Sequence, residues 1–261
     1  MKAPGLPEAV KSARAPKSPK GPGVRRALHA ATGLLLSYPG EDRRRTLAEA
    51  TAALHGLPGE GPAAVRRFCT AMASVPDREA AEQYVATFDR SRHRTLHLTY
   101  CTDGDTRRRG ASLVRLAQLY RAHGWEPADG ELPDFLPVVL EFAARCPDAG
   151  LDVLCAHRAA LTVLDDALTA YGSPYAALSG VVLGTLPRDR NADRAAAHAR
   201  RQGPPTESVG LTPYGAPGGA ATTAPGPVPL PPPAFPPRDR TAGREHPGAG
   251  QPPGSPRGAR R

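Results

Sequence analysis

The chain has 261 residues, among them 31 prolines and 27 glycines, and carries a formal net charge of +9. That charge is unevenly placed: residues 1–23 carry +4 and residues 187–261 carry +6, while residues 24–186, with 18 basic and 19 acidic side chains, carry −1. The central part therefore lacks the clustered Lys and Arg of a groove or face that reads nucleic acid, and the basic ends read as solvating extensions.

Composition also sets the domain count. Residues 187–261 hold 17 prolines, with runs such as "PGPVPLPPPAFPP" at 225–237. Such a segment has too little aliphatic surface to offset its chain entropy and reads as a disordered, partly polyproline II tail. Residues 1–23 read as an unstructured basic extension. The remaining stretch, 24–186, is a normal length for one domain with a real core. Cys69, Cys101, Cys146 and Cys155 form no C-x-x-C pair. The first apolar run, "ALHAATGLLLSY", is too short to span a membrane. These features predict a soluble, cytoplasmic protein with reduced thiols.

The central part reads as helices in chain order. "VRRALHAATGLLLSYPG" sets Val24, Leu28, Ala31, Leu34 and Leu35 on one face, with Pro39-Gly40 as the stop. The next helix carries Leu47, Ala50 and Leu54, and a third carries Ala64, Val65, Phe68 and Met72 up to Pro76. "DREAAEQYVATFD" opens with acids suited to a helix N-terminus and carries Ala81, Tyr84, Val85 and Phe88. After the polar stretch "LHLTYCTDGDTRRRG", Leu113, Leu116, Ala117 and Tyr120 make an apolar stripe that ends near Gly124. "ELPDFLPVVLEFAARCP" offers Asp134 as an N-cap and Pro137 in the first turn. "DAGLDVLCAHRAALTVLDDALTAYG" reads as one long helix to Gly172, and Ser173-Pro174 starts the last. No run alternates strictly between apolar and polar residues. The fold class predicted is all-α, a single helical bundle.

Chemistry is harder to find. Asp103 and Asp105 form a D-x-D that could hold a divalent cation. Three arginines, Arg107, Arg108 and Arg109, compete for those carboxylates, and the spacing favours Asp105 as a cap for the helix beginning near Thr106. His93, His97 and Cys101 lie at i, i+4 and i+8, a metal-competent face if one helix runs through them. The phosphate-binding patterns G-x-x-x-x-G-K-[ST] and G-x-G-x-x-G are absent, as is G-x-S-x-G. Cys155 and His157 are two apart and point to different sides of a helix. No catalytic constellation stands out. A nucleotide-dependent or metal-binding factor using the Asp103–Arg109 loop stays as the alternative to a binding module.

Two stretches then carry a resemblance. "YVATFDRSRHRTLHLTYCTDGDTRRRG" from Tyr84 and "ELPDFLPVVLEF" from Glu131, in that order and spacing, resemble the NarJ family of nitrate reductase assembly chaperones, and "LLLSYP" at 34–39 fits the family's opening helix. The resemblance covers 24–186, and "PPTESVGLTPY" (204–214) extends it.

It implies an all-helical TorD-like fold without enzyme activity. The implied partner is the N-terminal segment of the apo catalytic (alpha) subunit of nitrate reductase. The chaperone would hold that subunit ready for insertion of a molybdenum guanine dinucleotide cofactor, bind no cofactor stably itself, and leave the final enzyme. Glu131, Leu132, Pro133, Asp134, Phe135, Leu136, Val139, Leu140 and Glu141 are the candidate client-binding residues, with the apolar ones as anchors and Asp134 and Glu141 facing basic client residues. Phe135 stands where members often have His. Tyr100, Asp103, Gly104, Asp105, Thr106, Arg107 and Arg109 form a second candidate surface, its arginines a basic edge for an acidic client patch or a cofactor phosphate.

Overall fold

The structure is a computed structural model that describes residues 21–203, all within one compact unit. The expectations for 1–20 and 204–261, including the polyproline run and the 204–214 match, lie outside the described residues.

Among the described residues the chain forms helices α1 (Pro22–Leu36), α2 (Arg43–Ala53), α3 (Glu60–Ala73) and α4 (Asp77–Phe88), then a 3-10 turn at Arg92–Arg94. There follow α5 (Leu98–Asp103), α6 (Arg107–Ala122), α7 (Leu136–Arg145), α8 (Pro147–Ala156), α9 (Arg158–Tyr171), α10 (Ala176–Thr185) and α11 (Arg190–Gln202). The only extended pairing among these residues is an isolated antiparallel bridge between His97 and Phe135. The all-α expectation is therefore met.

The core forms where the 3.6-residue periodicity places apolar side chains. α1 lies at its centre and packs against α7, α2, α10 and α3. Leu28, Ala31, Leu35 and Leu36 of α1 are buried with Phe142 and Leu140 of α7 and Leu178 and Val182 of α10. Leu34, expected on the same face, is instead 46% exposed. The buried face of α1 runs through Thr32, Leu35 and Leu36, and Leu34 lies about 100–200° round the helix from the last two. An aromatic cluster joins α3, α4 and α10: Tyr84 lies 4.8 Å from Phe88 and 5.9 Å from Tyr175, and Phe68 lies 5.4 Å from Tyr175. These offset and edge-on contacts suit the ring quadrupoles. The Tyr84 hydroxyl donates to the Leu36 carbonyl at 3.0 Å and so ties α4 to the end of α1.

Close helix approach depends on small residues. A Cβ on Gly33 would sit 3.2 Å from the Leu140 Cβ and 3.2 Å from the Pro137 carbonyl oxygen, so α1 and α7 meet across a bare backbone. On Gly150 of α8 it would sit 2.2 Å from the Ala143 Cα. One charge is also built into the frame. Arg43, 5% exposed, donates to Asp77 at 2.9 Å, to the Met72 carbonyl at 2.7 Å and to the Val75 carbonyl, closing the corner between α3 and α4. A buried guanidinium is tolerable only with this many acceptors.

Three expectations need correction. The long helix expected through 148–172 is two, α8 and α9, with a break at His157, whose Nδ1 lies 2.9 Å from the Val153 carbonyl oxygen. The last core helix starts at Ala176; Ser173 precedes it and accepts the Tyr175 amide at 3.3 Å. The domain does not stop at 186. α11 packs along α9, with Ala196 fully buried and Arg200 paired to Asp166 at 2.7 Å. Asp189 accepts the Asn191 amide at 2.8 Å and caps α11. At the other end α1 begins at Pro22, two residues before the expected boundary.

Candidate functional site

The segment 131–141 enters α7 and belongs to two different environments. Its inner half is structural. Leu136, Val139 and Leu140 are fully buried in the core and cannot act as anchors for a bound chain. Pro137 in the first turn leaves no donor wasted at a helix start. Asp134 is also fully buried, and it does not cap its own helix, whose N-cap residue Phe135 makes no side-chain cap. Instead its carboxylate reaches across to α5. It accepts the Thr99 hydroxyl at 2.5 Å and the Thr99 amide at 3.3 Å, and it lies 3.0 Å from His97 Nδ1. Arg109, at the start of α6, brings its guanidinium to 3.6 Å.

Burial raises the Asp134 pKa. The hydrogen bonds from His97 and Thr99, with the charges of His97 and Arg109, outweigh that and hold the carboxyl below its ordinary value. The Tyr120 hydroxyl donates to the Pro133 carbonyl at 2.7 Å, and the Phe135 ring lies 5.4 Å from that of His97. The loop is thus fastened at Pro133, Asp134 and Phe135.

This fastening absorbs much of the second candidate surface. Arg109 turns inward to Asp134, and its guanidinium carbon lies 5.9 Å from the Tyr100 ring centroid, while Arg107 and Arg108 are exposed. The three arginines do not form one edge, because successive helical positions differ by about 100°. Asp105 is exposed and provides no cap; Thr106 occupies the N-cap position, and its hydroxyl donates to the Asp103 carbonyl at 2.7 Å. The Asp103 carboxylate accepts Ser112 at 2.6 Å. Gly104, at φ 61, ends α5 in a conformation that L side chains rarely adopt.

The face that one continuous helix would have made of His93, His97 and Cys101 does not form, because the chain leaves helical geometry between Arg94 and Leu98. Among the described residues no group of three or more His, Cys, Asp or Glu is placed to hold a metal ion. No helix there is long and apolar enough to cross a membrane.

The outer half of the segment faces a groove. Between α1 and α7 lies an open cavity of about 450 Å³. Ala30, Gly33 and Leu34 of α1 form its apolar lining with Pro137, Val138 and Ala144 of α7. Arg26, Ser37, Glu131, Glu141 and Arg145 stand at its margins. Glu131 and Glu141 are thus the expected residues that reach it; Leu132, 41% exposed, is the next residue after Glu131. The α1 half was missed. Its signal was available: a glycine inside an apolar helix, next to a third leucine that one buried face cannot accommodate.

Comparison with known proteins gives the chain its family. The family model "Nitrate reductase delta subunit" matches residues 55–178. The probable nitrate reductase molybdenum cofactor assembly chaperone NarJ of Bacillus subtilis (strain 168) is 33% identical over 167 residues, covering 62% of this chain and 89% of that protein. The chain belongs to the NarJ family. NarJ of Escherichia coli (strain K12) is 32% identical over 178 residues, covering 65% of this chain and 75% of that one. The nitrate reductase-like protein NarX of Mycobacterium tuberculosis (strain ATCC 25618 / H37Rv) is 42% identical over 146 residues, but the chain spans only 22% of its length. A redox enzyme maturation protein structure from Archaeoglobus fulgidus is similar with a TM-score of 0.48 at 22% identity, covering 60% of this chain and 91% of that one. The NarJ relatives are named as nitrate reductase molybdenum cofactor assembly chaperones.

Proposed function

We propose that this chain is a nitrate reductase molybdenum cofactor assembly chaperone, acting in the cytoplasm, that receives the N-terminal segment of the apo catalytic subunit in the groove between α1 and α7. The client, held in this way, stays competent for insertion of a molybdenum guanine dinucleotide cofactor; the chaperone keeps no cofactor of its own and leaves the finished enzyme. Membership in the NarJ family supports the client class. One observation supports the location: the groove combines an apolar floor with the exposed leucine Leu34 and charged margins, which suits an amphipathic helix laid in by its apolar face.

The test is calorimetric titration with a synthetic peptide copying the first twenty or so residues of the nitrate reductase catalytic subunit. Saturable binding is expected. Leu34→Glu should weaken it by roughly tenfold or more, since it puts an unpaired charge against the helix's apolar face. The same change should move folding stability by no more than about 0.5 kcal/mol, because Leu34 is half exposed. Binding that ignores Leu34→Glu would remove the groove from the mechanism.

A further inference from the structure

The groove has two electrically different ends. α1 and α7 run antiparallel: Gly33 faces Pro137 and Leu140, while His29, one turn earlier on α1, faces Ala143, one turn later on α7. Arg26 and Arg145 therefore lie at one end, and Ser37 and Glu131 at the other. Glu141 and Arg145 neutralise each other through a 2.8 Å ion pair. Arg26 and Glu131 form no ion pair or hydrogen bond among the described residues. Among the described residues that line the groove, what remains is one free positive charge at the α1-start end and one free negative charge at the α7-start end, separated by an apolar floor.

A helix carries the opposite arrangement on itself, with a partial positive charge and free N–H groups at its N-terminus and a partial negative charge and free carbonyls at its C-terminus. We propose that the groove binds its client segment in one direction only: as a helix with its N-terminal turn at Glu131 and its C-terminal turn at Arg26, parallel to α7 and antiparallel to α1. In that direction the Glu131 carboxylate accepts from the free N–H groups of the first turn, and the Arg26 guanidinium donates to the free carbonyls of the last. Reversed, each end would meet its own sign.

The groove also sets a length. Arg26 to Ser37 along α1 is about 16 Å, so the helix engaged is about three turns. Beyond its apolar stripe, the sequence feature it needs is basic or neutral residues in its first turn and acidic or neutral ones in its last.

This inference rests on the α1–α7 groove being the client site, and the experiment separates the two. The client peptide carries a nitroxide on a cysteine placed either in the first turn or in the last turn of its helical segment, and each form is titrated into the full-length 15N-labelled chain. A first-turn label is expected to broaden the amides of Ser37 and Glu131, and a last-turn label those of Arg26 and Arg145. Saturable binding with the two patterns exchanged, or with both labels broadening both ends equally, would overturn the polarity while leaving the groove in place. Binding that saturates but broadens neither end would overturn the groove and the polarity together.

The cause is tested by charge. Arg26→Glu and Glu131→Lys should each weaken binding about two- to fivefold, and the double variant should populate the reversed arrangement. An unchanged native pattern in the double variant would show that charge does not set the direction.

Discussion

The Asp134 carboxylate, in the loop before α7, takes both the hydroxyl and the amide of Thr99, a residue 35 positions earlier in the chain. A side chain of one helix's approach loop thus caps the start of another. Removing it strands the Thr99 amide and the half-buried guanidinium of Arg109 together. Asp134→Ala should cost about 2–4 kcal/mol of folding free energy in urea unfolding. Asp134→Asn should cost less at neutral pH, since it keeps the shape. Asp134 has a folded pKa below its unfolded one, so its contribution is complete above the unfolded carboxylate range and is lost as pH falls through the folded value. The gap between the native protein and Asp134→Asn should close below about pH 4. A gap that persists into strong acid would mean that charge at Asp134 is irrelevant.

His29 gives a second pH signature at a different place. It is 1% exposed, with Nε2 2.9 Å from the Thr185 hydroxyl. Burial, and next the charge of Arg25, push its pKa from 6.5 down to about 4, against a hydrogen bond to the Ala143 backbone. Its neutral form is the folded form, so stability is full above about pH 6.5 and falls as pH drops toward 4, by up to about 3 kcal/mol. His29→Gln should flatten the curve of unfolding midpoint against pH in that window. Superimposable curves would refute the assignment.

The two small-residue contacts should rank. Gly150→Ala places a methyl group where the Ala143 backbone already is, and α7 and α8 must separate; a loss of about 2–4 kcal/mol is expected. Gly33→Ala meets Leu140 and Pro137 only at 3.2 Å and gains helix propensity, so its net change should stay within about 1 kcal/mol. Thermal unfolding of the two variants decides the order; a Gly33→Ala loss as large as that of Gly150→Ala would contradict it.

α11 predicts where the domain can be cut. A chain ending at Leu186 loses the buried Ala196 contact and the Arg200–Asp166 pair, and uncovers the face of α9. It should unfold about 1–2 kcal/mol more easily than a chain ending at Gly203. Equal stability would make α11 an ornament on the fold.

Most helices were legible because their apolar residues recur on one face and because Pro and Gly punctuate them. α11 was not: it shares its segment with the prolines that follow, and an average over 187–261 hides the Asp189 cap and the alanines of "RNADRAAAHARR". The 131–141 segment was recognisable as special, but its inner and outer faces were not separable. Leu136, Val139 and Leu140 are as apolar as a peptide anchor would be, and only the packing of α1 shows that they are already covered. Asp134 looked like a local cap since local caps are the commonest use of an aspartate before a helix. Its real partner is set by tertiary approach, which one-dimensional spacing does not contain. The same holds for Arg109, whose inward turn separates it from its two neighbours.

The short bridge at His97 and Phe135 has a consequence for how the molecule breathes. Leu98 donates to the Asp134 carbonyl at 3.0 Å, and Leu136 donates to the Leu96 carbonyl at 2.9 Å. Residues 98–135, with α5 and α6, thus form an excursion closed at its base by one pair of rungs and held on the core by Leu98, Leu116 and Tyr120, the last 4.5 Å from Phe142 of α7. A segment closed at its base opens as a unit: once the rungs part and Tyr120 and Trp125 come away from Phe142, the whole excursion lifts while α1, α7 and α10 stay packed. Native-state amide exchange would then report one shared opening energy for α5 and for the Asp134 loop, lower than that of α1. The rim residue Glu131 would move with them, so the acidic end of the groove would open and close on the clock of this excursion rather than on that of the core.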